Sequence, residues 1–333
     1  MSITKKADTI SESAKMAGLG LGSGAVLVSG AGGFVGSAVT EALGAAGCSV
    51  VVALRRSGAA PPGAERAITA GDLAAPEPAL SAAMRGVSVV IHAAGLAHRT
   101  GIEPAALAAA NVTAAARVAE IAAARGAKRF ILVSSAAVHG KAPDGVVTEA
   151  SEPDPDDAYA ASKLEGEQAV RRVLAGTGTA LVIIRPCAVV GPGCAGNIPR
   201  LVRVIARSRV LPFGAIGNQR SFIARADLAA LIVAATQATH ALPEIILAAH
   251  PEPIASPDLI RALAQGLERR IFLAPVPASW LGLAARAAKQ GSAWRSFAGS
   301  FRAHPVLAQQ ELGFTAQIPL EAILSATARS VVL

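Results

Sequence analysis

The sequence predicts an α/β protein, a Rossmann-type doubly wound parallel sheet followed by a smaller C-terminal α/β lobe. Three observations carry that prediction. Apolar runs of strand length alternate with Ala-rich stretches of helical period through the first half of the chain. A glycine turn, Gly30-Ala31-Gly32-Gly33-Phe34-Val35-Gly36, stands directly between the first strand and the first helix. Small and hydroxyl-bearing residues follow the later strands, at the strand ends where such sheets bind ligands.

In chain order, Ala25–Ser29 reads as a short buried strand. The helix after it is marked by Val35, Val39 and Leu43 and closed by Gly47. In this strand–turn–helix context Gly30 permits the tight turn, Gly33 lets backbone approach a pyrophosphate, and Gly36 lets helix pack on strand. The phosphates of a dinucleotide would then meet the positive N-terminus of the helix. The spacing is G-x-x-G-x-x-G rather than G-x-G-x-x-G.

The second strand, Ser49–Leu54, ends in Arg55-Arg56, and no Asp or Glu lies between Val50 and Ala64. An acidic residue there would select NAD through the ribose hydroxyls, whereas Arg suits the extra phosphate of NADP. The alternative is a pair of merely exposed arginines. After a third strand, Asp72 in Gly71-Asp72-Leu73 serves either as an acceptor for an adenine amino group or as a turn residue. A fourth strand, Val87–Ile91, leads into His92-Ala93-Ala94-Gly95, whose small residues allow backbone to pass close to a cofactor. An Ala-rich helix over Glu103–Ala124 carries Asn111.

The strand Arg129–Val133 ends in Ser134-Ser135-Ala136-Ala137-Val138-His139-Gly140. Beyond a loop rich in Pro and Asp (Pro153–Asp157), which supplies a helix cap, comes Tyr159, the one tyrosine in 333 residues. Lys163 follows four positions later, on the same helical face. A phenol titrates near ~10, and acid/base work at neutral pH asks for a lower value, which a neighbouring ammonium favours.

Apolar residues make up 52% of the chain and aromatic ones only 3%, so the core is built largely from Ala and aliphatic side chains. Cys48, Cys187 and Cys194 are too scattered for a disulfide framework or a zinc site, which predicts no metal and a reducing, cytoplasmic setting. Residues 1–24 read as a flexible extension without a signal-peptide core. The apolar stretch from Leu228 to His250 is broken by Gln237, His240, Pro243 and Glu244, so no membrane span is expected. A formal charge of +8 fits anionic ligands such as nucleotides. Nucleic acid would want aromatic platforms among the basic residues, and these are missing. Arg200, Arg203 and Arg207 read as the solvated face of a helix with Leu201, Val204 and Ile205 opposite.

Taken in order, Gly30, Gly33, Gly36, Asp72, His92-Ala93-Ala94-Gly95, Asn111, Ser134-Ser135, Tyr159 with Lys163, Arg185-Pro186 and Gly191-Pro192-Gly193 form a family pattern. Over roughly residues 25–325 the chain resembles the extended short-chain dehydrogenase/reductase family. Within it, the likeness is to the UDP-glucose 4-epimerase-like (NAD-dependent epimerase/dehydratase) nucleotide-sugar enzymes. The resemblance implies a dinucleotide domain over 25–186, to which 221–248 returns, and a substrate lobe over 187–330. It implies Tyr159 as acid/base, Lys163 holding the nicotinamide ribose and lowering the phenol pKa, and Ser135 bonding the reacting oxygen. Cofactor contacts are implied at Gly30, Gly33, Phe34, Val35, Gly36, Arg55, Arg56, Asp72, Leu73, Ala93, Ala94, Gly95, Asn111, Lys163 and Pro186. Ser135, His139, Asn197, Phe213 and Arg220 are implied at the UDP-sugar, with Phe213 on the base and Arg220 on the diphosphate. His139 stands where the family often has Tyr, and either touches substrate or fills space.

By the same resemblance, partners are a UDP-sugar and a second copy of the chain, paired through the Tyr159 helix. The implied reaction is hydride transfer at C4 of a UDP-hexose. Arg55-Arg56 leans this toward NADPH-dependent reduction of a UDP-4-keto-6-deoxy-hexosamine. The alternatives are a 4-epimerase with tightly held NAD, a reductase of apolar ketones, and an NADP-binding sensor without turnover.

Overall fold

The computed structural model describes residues 24–75, 78–96, 102–143 and 145–331. The extension expected at residues 1–24 lies outside them, Gly24 excepted. The strands are β1 (Ala25–Ser29), β2 (Val50–Leu54), β3 (Arg66–Thr69), β4 (Val87–His92), β5 (Arg129–Val133), β6 (Val146–Val147) and β7 (Ala180–Pro186). They continue as β8 (Ala188–Val190), β9 (Val210–Leu211), β10 (Phe222–Ala224), β11 (Ile245–Ala248), β12 (Phe272–Leu273) and β13 (Arg302–Ala303). Seven of them form one parallel sheet in the order β11-β7-β5-β4-β1-β2-β3. The order reverses between β1 and β4, which opens a crevice at their carboxyl ends.

The short apolar runs make strands because both faces of this sheet are covered. Side chains alternate along β1: Val26 and Val28 enter one core with Val50, Val52 and Ile91, while Leu27 enters the other with Val51, Val90 and Leu132. The helix Phe34–Ala45 covers the first face beside Arg225–Gln237. Helices Ala114–Ala124 and Ala158–Leu174 cover the second. By length and composition the stretch Pro104–Ala124 could cross a bilayer, but Leu107, Ala115, Val118, Ala119 and Ala122 pack inward. At the start of β5 the buried Arg129 guanidinium donates to the carbonyls of Ala235, Ala238 and His240, tying a helix C-terminus to the sheet.

After Pro186 the chain leaves the sheet. The pairs β8/β10 and β9/β12 form from this later chain, while β13 returns to pair with β6 from before Pro186. The second lobe has its own core around Val202, Ile205, Leu211, Phe222, Ile260, Leu263 and Leu324. The segment 225–248 is part of the main layer, because its helix packs on Phe34–Ala45 and β11 pairs with β7. Phe222–Ala224 pairs outside it, with β8. In the helix Asn197–Arg207, Pro199, Val202 and Ile205 are buried and the three arginines exposed. Val204, expected on the apolar side, is exposed. It lies four residues after Arg200 and three before Arg207, so the helical period places it on their face.

Candidate active site

The glycine turn sits over the crevice between β1 and β4. Gly30 has φ +78°, and a Cβ there would collide with the Ala93–Ala94 backbone. A Cβ at Gly36 would land on the Gly30 carbonyl. Ala93 N–H donates to Ser29 O at 3.0 Å, holding the two strand ends together. The helix opening at Phe34 has no side-chain cap, since Gly33 is its N-cap residue. Its first amides therefore face the crevice with only backbone and solvent to serve them, the arrangement a pyrophosphate fits.

Around this turn the structure places the other expected nucleotide contacts. Arg55 and Arg56 are exposed just beyond β2. Asp72 accepts from Ala74 N–H at 3.0 Å, so it does make a turn, and it is exposed beside the half-buried Leu73. Pro186 ends β7, buried. Arg225 is a residue the sequence reading did not single out. Its guanidinium lies 5.0 Å from the centre of the Phe34 ring, Nη2 donates to Ser37 Oγ at 2.7 Å, and Nε–H has no partner among the described residues.

Asn111 is 4% exposed and lies in a π-helical turn, Ala109–Thr113, where a continuous α-helix was expected. Its Oδ1 accepts from Leu96 N–H at 2.9 Å, and its Nδ2 donates to Ser162 Oγ at 2.9 Å and to Leu96 O at 3.3 Å. The wider turn lets one side chain join the loop after β4 to the Tyr159 helix. Gly166 makes that approach possible, because a Cβ there would strike the Asn111 carbonyl.

Ser135, Tyr159 and Lys163 come together above β5. Asp157 caps the Tyr159 helix by accepting from Ala160 N–H at 2.8 Å, as the loop composition predicts. Ser135 opens a short turn, accepts from Ala137 N–H at 3.1 Å, and hydrogen-bonds the Tyr159 hydroxyl. Lys163 Nζ donates to Val133 O at 2.8 Å, at the end of β5. The expected lowering of the phenol pKa is not what the chain alone produces. Burial pushes Tyr159 above its ordinary value, with Ser135 pulling it down and Asp157 pushing it up. The ammonium is instead the group that shifts down, to about 8, because burial outweighs the favourable charge of Glu167. For both groups burial, which disfavours the charged form, is the largest cause.

Beneath these three lies a buried network that single positions did not reveal. Arg185 Nη2 donates to Glu167 Oε2 at 2.6 Å and Nε to Oε1 at 3.0 Å, a bidentate pair with both partners at most 2% exposed. Ser134 Oγ donates to the same carboxylate. Arg185 Nη1 donates to His139 Nε2 at 3.2 Å, which leaves Nδ1–H to donate to Glu152 O at 3.2 Å. That tautomer is neutral, and burial lowers the His139 pKa further. His139 thus packs as part of this network rather than pointing free. Glu167 follows Lys163 by four residues, a spacing that marks it in retrospect.

In the second lobe, Asn197 is exposed at the head of its helix. Phe213 meets Phe297 edge-on with centroids 4.9 Å apart, inside the lobe's own core. Arg220 Nη1 donates to Gly299 O at 3.0 Å and Lys141 O at 3.5 Å. Both residues assigned to the UDP are thus engaged with protein atoms, while Ser135, Tyr159 and Lys163 converge.

A glycine turn at the switch point and a Ser-Tyr-Lys cluster over the neighbouring strand end define a dinucleotide-binding protein of the short-chain dehydrogenase/reductase type. Residues 26–249 match the NAD dependent epimerase/dehydratase family, more than half of the chain, and the chain belongs to that family. It is 31% identical over 205 residues to a UDP-glucose 4-epimerase of Vibrio cholerae, covering 58% of this chain and 61% of that protein. It is 38% identical over 213 residues to a ceramide reductase of Caulobacter vibrioides, covering 63% and 60%. The chain thus spans about three-fifths of the length of these curated relatives. Among solved structures it resembles MoeE5 in complex with UDP-glucuronic acid and NAD, with TM-score 0.70 and 25% identity over 92% of this chain and 98% of that one. The fold also matches a UDP-glucuronic acid 4-epimerase from Bacillus cereus in complex with NAD, with TM-score 0.74 and 20% identity over 92% and 98%.

Proposed function

We propose that the chain is an NADPH-preferring ketone reductase, with Tyr159 as the proton donor. The Tyr159–Ser135 hydrogen bond, with Lys163 one turn below, carries this reading. The dinucleotide would be held by the Phe34 and Val35 amides, the Gly30–Gly36 turn, Arg55, Arg56 and the Ala93–Gly95 loop. When bound, it supplies the hydride. Everything else falls to the chain's own side chains: Ser135 orients the substrate oxygen, and Tyr159 delivers the proton to it. A phenol held above its ordinary pKa rests protonated, which suits a reduction, where Tyr159 gives its proton to the oxygen as the hydride arrives at carbon. Lys163, near pKa 8, stands ready to return a proton to the phenolate.

Two substrate classes share this apparatus. The first is a UDP-4-keto sugar, supported by the family and by the UDP-glucose 4-epimerase relative. The second is a long-chain keto-amide, supported by the ceramide reductase relative and by the engagement of Phe213 and Arg220 with the protein itself. NADPH consumption with a UDP-4-keto-6-deoxy-hexosamine or with a keto-ceramide decides between them. If UDP-N-acetylglucosamine yields its C4 epimer without added cofactor, the reductase reading fails in favour of an NAD-holding epimerase. For the cofactor, Arg55→Ala should weaken NADPH binding about tenfold or more while leaving NADH unchanged. Equal losses for both would remove Arg55 from the phosphate.

A further inference from the structure

The helix Ala278–Ala287 is built differently from the others. Trp280, Leu283, Ala284 and Ala287 recur at helical spacing and are all exposed, Trp280 by 71% and Leu283 by 70%. Leu281 and Ala285 are half-buried, and a Cβ at Gly282 would lie 3.0 Å from the Trp294 indole nitrogen. The helix is therefore apolar towards the protein and apolar again towards solvent. Just before it, Phe272 is 63% exposed and faces its strand partner Val210, 57% exposed.

The chain segment that carries this face has charge of one sign, with Glu268 exposed just before it and Asp156 meeting it at Arg295. Residues 269–310 carry Arg269, Arg270, Arg286, Lys289, Arg295 and Arg302 and no Asp or Glu. Arg286 and Lys289 flank the exposed stripe, and Arg269 and Arg270 precede Phe272, all four exposed. A second copy of the chain would bring the same positive charge to the contact. An anionic lipid surface complements both properties at once: it accepts Trp and Leu below its headgroups and the cations among them. One helix further on, the chain reaches the Pro153–Asp157 loop that caps the Tyr159 helix. The next helix, Gly291–Ala298, carries Arg295, whose Nη2 lies 3.6 Å from Asp156, and Arg220 and Asn218 both donate to Gly299 O just after it.

We propose that the Trp280–Ala287 face docks the protein on an anionic bilayer surface. The inference stands on this face alone and holds for either substrate class. It is tested on the full chain, without substrate, by co-sedimentation with vesicles of phosphatidylcholine alone or mixed equally with phosphatidylglycerol. Binding to the mixed vesicles only, with quenching of tryptophan fluorescence by brominated lipid that Trp280→Phe removes, is the expected result. Trp280→Ser with Leu283→Ser, and separately Arg286→Glu with Lys289→Glu, should each weaken vesicle binding by about tenfold or more. Retained NADPH binding shows that the variants are folded. No binding by the unaltered protein, or equal binding by the variants, overturns the proposal. So does a dimer in solution that Trp280→Ser with Leu283→Ser converts to a monomer, because the face would then belong to a second copy.

Discussion

The nucleotide end and the 269–310 segment use apolar residues in opposite ways. Around the glycine turn, Leu27, Val28, Val50, Val52, Val90 and Ile91 have no exposed surface, and the glycines there are dictated by backbone collisions. In the later segment Trp280 and Phe272 face outward, although Phe301 of the same segment is buried. Exposing a large apolar side chain forgoes about 1.5–3 kcal/mol of burial. Packing explains the first region completely. It does not explain Trp280, Leu283 and Phe272, which the proposed docking on a bilayer would.

The sharpest break between the regions is chemical. Tyr159→Phe keeps the ring and removes the proton, so kcat should fall about 10²–10⁴-fold with cofactor affinity unchanged. Trp280→Phe in the other region should leave kcat with a water-soluble substrate intact. Should Tyr159→Phe keep full turnover, the assigned proton path is wrong.

A second contrast uses one methyl group. Gly36→Ala forces a Cβ onto the Gly30 carbonyl, which is backbone and cannot step aside. Overpacking of this kind costs about 1–3 kcal/mol, and NADPH binding should suffer with it because the turn itself must move. Gly282→Ala meets only the edge of the Trp294 indole at 3.0 Å and gains helix propensity of about 1 kcal/mol. Denaturant melts of the two variants should therefore diverge. Equal destabilisation would mean that the Trp280 helix is packed as tightly as the nucleotide turn.

Legibility in the sequence follows the same division. The strands and the glycine turn were readable because period and collision are local: Val26 and Val28 alternate with Leu27, and Gly30 stands at the strand end. The Ser-Tyr-Lys group was readable because Tyr159 and Lys163 share one helix. The π-turn at Asn111 was not, since a run of alanines has no period to interrupt. The Glu167–Arg185–His139 network needs β7 beside the Tyr159 helix, a long-range juxtaposition that spacing does not encode. Arg225 likewise acquires meaning only when its helix lies beside the Phe34 ring. The upward shift of the phenol pKa was not readable, because the sequence shows a cation four residues away but not how deeply the Tyr159 ring is buried.

Acid should expose another property of the nucleotide end. His92 is buried, its Nδ1 lies 2.7 Å from Ser29 Oγ, and its Nε2 has no partner among the described residues. Burial, then the charge of Lys163, lowers its pKa from 6.5 to about 3. The unfolded chain binds this proton below pH 6.5 and the folded chain only near 3. Stability from this group is therefore intact above 6.5 and lost as pH falls, by roughly 1.4 kcal/mol per pH unit. His92→Gln should flatten that slope in unfolding curves between pH 4 and 6.5. An unchanged slope would place the acid sensitivity elsewhere.

The smallest expected effect lies where the two regions join. Asp157 caps the Tyr159 helix through Ala160 N–H and also pairs with Lys141 at 2.9 Å. Lys141 reaches Asp156 as well, at 3.3 Å, and Asp156 meets Arg295 from the helix after the Trp280 face. Burial works against the Lys141 charge, yet the two carboxylates hold its pKa above the ordinary value. Asp157→Ala removes cap and charge together and should cost about 1 kcal/mol. Asp157→Ser restores the cap without the charge. If the cap is what matters to Tyr159, Ser should recover both stability and kcat, and added salt should change neither. If Ser behaves like Ala and salt weakens the unaltered protein, the Lys141 pair is what holds the catalytic helix to the rest of the site.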